Sequence, residues 1–177
     1  MKIPQTLSEN DTQLLAAAMQ LAYTQFESMT MTGPNGPELN KAKNYVSKAA
    51  LSFSRGDRTN AHAYAEQAKT HYVEHKLPEL SYIWEQYLKP DDLSLVSAVI
   101  DSYQQHTLLW FYQTGGSGVD MAHMPLSRIK SFILKKEETL ENVMKDVRDL
   151  ANSQVDPNVA STASQLHTSL LNFKKSS

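Results

Sequence analysis

The chain contains no cysteine in its 177 residues, which excludes disulfides and thiol chemistry and leaves a reducing, cytoplasmic setting as the default expectation. No apolar run approaches the roughly 20 residues needed to cross a bilayer, so no membrane insertion is expected. The opening MKIPQTLSEND lacks the apolar core of a signal peptide. Basic charge is not in excess either. With a net charge of -2 and 20% charged residues, a nucleic-acid partner is not expected, because counterion release needs clustered Lys and Arg. No segment up to residue 113 alternates with period two for long enough to make a strand. There is no phosphate-cradling glycine loop, no nucleophile elbow and no paired-carboxylate arrangement. The chain has only six glycines, and three of them fall between residues 115 and 118.

What remains is helical periodicity. Ser8 followed by Asp11 resembles a capping box, opening a helix with Leu15, Ala18, Met19, Ala22, Phe26 and Met29 on one face. Gly33-Pro34-Asn35-Gly36-Pro37 stops it, and Pro37 suits the first turn of a second helix. That helix carries Leu39, Ala42, Val46, Ala49, Ala50 and Phe53. Gly56 closes it and Asp57 caps a third, whose stripe is Ala61, Tyr64, Ala65, Ala68 and Tyr72. A short fourth helix follows Pro78 with Leu80, Ile83, Trp84, Tyr87 and Leu88. Asp91 caps a fifth, with Leu95, Val96, Val99, Ile100, Tyr103, Trp110 and Phe111. The stretch Lys41 to Tyr72 resembles one tetratricopeptide-like hairpin. No second copy follows at that period, and solenoids need about three, so it reads as local hairpin geometry.

After Pro125 the stripe narrows. Leu126, Ile129, Ile133, Leu140, Val143, Val147 and Leu150 fall on two positions of a heptad, interrupted only by Lys136. That pattern predicts a helix docking lengthwise along a groove or another helix. Asp156-Pro157 restarts a helix whose seam is Val159, Ala163, Leu166, Leu170 and Phe173, with Ser, Thr, Asn and Gln elsewhere. Two helices with one thin stripe each do not build a core alone.

Between the two parts lies Thr114-Gly-Gly-Ser-Gly-Val-Asp-Met-Ala-His-Met124. Gly-Gly-Ser-Gly is the composition of a flexible spacer. Val-Asp and His-Met are dipeptides that cloning sites encode, with Met121 between them. Residues 114–124 therefore read as an engineered linker joining a helical binding module, 1–113, to an amphipathic partner segment, 125–177. A natural Gly-rich loop is the alternative. Such a tether reaches roughly 17 Å and holds its ends together at a near-millimolar effective concentration.

Three patterns carry possible chemistry. His71-Tyr-Val-Glu-His75 matches the inverted zinc-peptidase pattern, with the histidines four apart on one helical face and Glu74 as the base. Such a site needs a distant third ligand, usually a carboxylate, and a larger α/β scaffold. On a helical wheel His75 falls on the apolar side and His71 at its edge, as hydrogen-bonding core or interfacial histidines would. Neither cofactor nor metal is expected, with His71 and His75 as the ligands were one held. Arg55-Gly56-Asp57 matches the integrin-binding tripeptide, but its helix-stop role explains it. Leu108 to Tyr112 is apolar on every side, so part of it faces something outside its own unit, with Trp84, Trp110 and Phe111 as aromatic anchors.

The expected fold is all-α: a five-helix N-terminal bundle or hairpin array with a C-terminal helical hairpin packed against it. The expected function is non-enzymatic. It is a protein-binding module of the adaptor or chaperone kind that shields an amphipathic helical client, here residues 125–177 themselves. The partner-binding residues are Leu126, Ile129, Ile133, Leu140, Val143, Val147, Leu150, Leu166, Leu170, Phe173, Trp84, Trp110 and Phe111. By analogy, small secretion chaperones hold part of a filament subunit in this way. Rival readings are one natural seven-helix structural protein and a zinc peptidase.

Overall fold

Four side-chain caps set where helices begin. Ser8 Oγ accepts the Asp11 amide at 3.0 Å, and Asp57 Oδ1 accepts the Asn60 amide at 3.1 Å. Asp91 Oδ1 accepts the Ser94 amide at 2.7 Å, and Thr139 Oγ1 the Asn142 amide at 3.2 Å. Each satisfies an amide that has no partner inside its own helix. The computed structural model describes residues 8–27, 29–33, 35–76, 79–87, 91–113, 123–133, 139–152 and 157–176, with backbone alone at 111–113, 123–125, 133 and 176. Among these residues are eight helices and no strand: α1 (Glu9–Glu27), α2 (Gly36–Ser54), α3 (Arg58–Glu74), α4 (Leu80–Glu85), α5 (Asp92–Gln113), α6 (His123–Ile133), α7 (Leu140–Ala151) and α8 (Pro157–Ser176). The protein is all-α.

Two tight connections build the first three helices into antiparallel neighbours. Between α1 and α2, the Asn40 side chain clasps Met31, accepting its amide and donating to its carbonyl, both at 2.8 Å. Lys43 of α2 then donates to the carbonyls of Phe26 at 2.7 Å and Met29 at 2.5 Å, so a buried ammonium satisfies the open end of α1. α1 has no basic residue of its own in its last turn. Between α2 and α3, Gly56 sits at φ +79, the left-handed region where a side chain is strained. The Asp57 and Gly56 amides return to the carbonyls of Ser52 and Phe53, which ends α2 in a Schellman pattern. Ala61, Ala65 and Ala68 are fully buried, and their small size lets α3 lie close on α2.

α1 is the hub of the molecule, packing against α2, α5, α6 and α8. Its burial is wider than one stripe. The expected Leu15, Ala18, Met19, Ala22 and Phe26 are all buried, and Leu14, Leu21 and Gln25, which line up with Ala18, widen the buried face by a second row about 100° round the helix. The end of α1 (Gln20 to Glu27) and the start of α8 (Asn158 to Thr162) line one cleft, so those two helices pair antiparallel.

The C-terminal part departs from the expected two-helix hairpin. Three helices are present, and the heptad seam from Leu126 to Leu150 is split between α6 and α7. Thr139 is the reason: its extended backbone (φ -97, ψ 153) and capping hydroxyl start a new helix instead of continuing the old one. α6 also begins at His123, two residues inside the expected linker; residues 114–122 lie outside those described. α7 and α8 form an antiparallel pair with Lys174 Nζ 4.0 Å from Glu141 Oε1. The buried apolar residues of all these helices form one continuous core.

Candidate partner-binding seam

The seam residues are reached from three helices. α6 presents Leu126 and Ile129, both fully buried, where it packs on α5 and α1. An ion pair reinforces that contact: Lys130 Nζ of α6 lies 2.6 Å from Asp101 Oδ1 of α5. α8 contributes Leu166 and Leu170, fully buried, where it packs on α1 and α7. Phe173 is half-buried and meets Phe132 of α6 edge-on, ring centres 5.6 Å apart. Ile133 belongs to α6, but its side chain lies outside those described.

α7 behaves differently from the expectation. Val143, Val147 and Leu150 are buried and Leu140 packs partly buried against the core, yet the packing partners of α7 are α6 and α8. Its stripe therefore closes a layer within the C-terminal segment instead of lying on helices one to five. The tail thus has a small interior of its own, and α6 and α8 carry the junction with the N-terminal helices.

The aromatic anchors divide in the same way. Trp84 is wholly buried and donates its indole N–H to Ser102 Oγ at 2.6 Å, while stacking with Tyr72 and meeting Tyr87 edge-on. α4 packs on α3 and α5, which places Trp84 in the interior of the N-terminal helices and not on a surface offered to a partner. Trp110 is half-buried against the common core, whereas Leu108 keeps 51% of its surface exposed. The Phe111 side chain lies outside those described.

Lys43 and His106 sit inside this core. Burial lowers the Lys43 pKa from its ordinary value, and the nearby Glu27 charge opposes that shift. Burial also lowers His106 to about 3, with the Lys43 charge acting in the same direction, so its imidazole is neutral at ordinary pH.

His71 and His75 are placed the other way round from the helical-wheel expectation. α3 ends at Glu74 and His75 is its C-cap, half-exposed, while His71 keeps only 9% of its side-chain surface. The wheel failed because it extended the helix one residue too far and ignored α2 alongside. Glu38, in the first turn of α2, brings Oε2 to 2.9 Å from His71 Nε2 and 3.3 Å from His75 Nε2. Despite that proximity, His71 Nε2 has no hydrogen-bond partner. The contact is close but lacks the alignment that a hydrogen bond requires. Sequence reasoning missed Glu38, although a signal existed. Glu38 lies eighteen residues before Gly56, and eighteen after Gly56 stands Glu74, beside His75. An antiparallel hairpin about that turn brings them level.

A cleft of about 470 Å³ between α1 and α8 is lined by Gln20, Tyr23, Thr24, Glu27, Asn158, Ser161 and Thr162, so the junction turns polar at that end. No helix among the described residues is long and apolar enough to cross a membrane. No protein family, curated protein or solved structure matches this chain.

Proposed function

We propose that residues 1–113 are a non-enzymatic binding module of the adaptor or chaperone kind, and that residues 123–177 are the helical client it shields. The observation that carries this reading is the second buried row of α1. Leu14 and Leu21 are buried to 1% and 0% in the presence of α8. α8 and α6 both pack on α1, and α6 on α5, so without the tail these helices would expose surface of the kind that receives an amphipathic helix. Covering the client's stripes keeps it soluble and stops self-association. The spacer-like composition of residues 114–122 fits a tether between separable partners. A secretion chaperone holding part of its substrate is one setting for such chemistry, by analogy of mode alone.

The test is to place a protease site within residues 114–122, cleave the folded protein and follow the fragments by size-exclusion chromatography. The proposal expects them to co-elute at micromolar concentration, and the isolated tail to lose most of its helicity. A tail that separates and melts cooperatively on its own would show an autonomous domain and end this reading.

A further inference from the structure

We propose that Glu38, His71 and His75 form a binding site for a borderline divalent transition-metal ion, with zinc the best match. The donor set of two imidazole nitrogens and one carboxylate oxygen is one that zinc takes in mixed sites, leaving a further position for water or a fourth ligand. All three donor atoms lie within 4.8 Å of one another. The two measured edges, 2.9 and 3.3 Å, match ligand pairs sharing one ion. Donors about 2.1 Å from a metal are about 3.4 Å apart in tetrahedral and about 3.0 Å apart in octahedral geometry.

The second, independent observation is His71. Its side chain is nine-tenths buried, its Nε2 points into this cluster, and that nitrogen makes no hydrogen bond. Buried polar nitrogens normally find a partner, and a metal ion supplies one here. The placement also gives the ion a structural role. Glu38 opens α2 and His75 closes α3, so the ligands join the two free ends of the hairpin, opposite the Gly56 turn. An ion there staples α2 to α3 by the same linkage that makes any native-state ligand stabilising. Glu74 is exposed and is not one of the ligands, so the site supports clamping and not the peptidase chemistry of its sequence pattern.

The experiment uses the full chain without an affinity tag, zinc as the probe and a chromophoric competitor at pH 7.5. The wild type should take up one zinc per chain and rise in melting temperature. Glu38→Gln and His75→Ala, both at half-exposed positions, should each weaken zinc by more than about tenfold, a loss that even outer partners of metal ligands cause. Both should also abolish the thermal rise, while His167→Ala on α8 should bind like wild type. Cobalt in place of zinc should give a visible absorption band that the two variants lose. Absence of stoichiometric uptake by the wild type, or equal uptake by both variants, overturns the assignment.

Discussion

Tyr72 of α3 and His106 of α5 share a hydrogen bond of 2.5 Å between the phenolic oxygen and Nε2, at a point where both side chains are wholly buried. Phe26 closes the site edge-on, 5.9 Å from the imidazole. The pair ties α3 to α5 across the core, and its imidazole is held in the neutral form. Burial lowers His106 to about 3, and Lys43 opposes a second cation nearby.

That geometry sets a pH dependence. The unfolded imidazole titrates near its ordinary value of 6.5 and the folded one near 3, so between these limits the unfolded chain binds the extra proton. Stability from His106 is therefore complete above pH 6.5 and falls with decreasing pH, by up to about 1.4 kcal/mol per pH unit. Urea unfolding at pH 7.0 and 5.5 should show this loss in the wild type. The difference between the two pH values should shrink in His106→Gln. An identical pH difference in both proteins would mean that His106 is not held neutral by the fold.

Lys43 gives a second prediction. Its ammonium is the donor for the Phe26 and Met29 carbonyls, and Lys43→Met keeps the aliphatic stem while removing that donor. Two carbonyls lose a charged partner, which should cost about 1–3 kcal/mol in denaturant unfolding at neutral pH. The substitution also removes a cation that lowers the folded His106 pKa, so the acid-side loss of stability should still begin near pH 6.5 but end at higher pH and be smaller in total in this variant. No change in midpoint would show that solvent replaces the ammonium freely.

The legible and illegible features divide along a physical line. Caps, breakers and stripes act over three or four residues, and Ser8, Asp57, Asp91, Gly56 and the alanine stripe of α3 all stand where their local chemistry requires. What escaped depends on a neighbour distant in sequence. Asn40 reaching Met31, Lys43 reaching α1, and Glu38 reaching His71 are pairings that no periodicity displays. The second row of α1 was hidden because a row buried by another segment reads, on its own, as ordinary variation. The heptad from Leu126 to Leu150 misled for a related reason: two helices in register with a common stripe share the spacing of one long helix. Thr139, with Asn142 three residues on, was the local sign of the break.

The Lys130–Asp101 pair yields a modest expectation. It joins α6 to α5 across the junction, with both side chains partly exposed at 25% and 36%. Solvent screening limits such a pair, so a double-mutant cycle with Lys130→Ala and Asp101→Ala should return a coupling of less than about 1 kcal/mol. Raising the salt should reduce it further. A coupling of several kcal/mol would mean that the pair is far less hydrated in solution than its exposure indicates.

Neighbouring leucines on α8 separate packing at the junction from mere presence in the tail. Leu170 is fully buried, whereas Leu171 keeps 38% of its surface. Leu170→Ala should cost about 2–5 kcal/mol because it leaves a cavity, and Leu171→Ala less than about 1 kcal/mol. Both tryptophans, Trp84 and Trp110, belong to the N-terminal helices, so tryptophan fluorescence follows the unfolding of residues 1–113 and not of the tail. A continuous core implies one cooperative transition. Leu170→Ala should then lower the urea midpoint seen by fluorescence as much as that seen by circular dichroism. If fluorescence stays at the wild-type midpoint while helicity is lost earlier, the tail unfolds by itself. The second row of α1 would then contribute little to holding it.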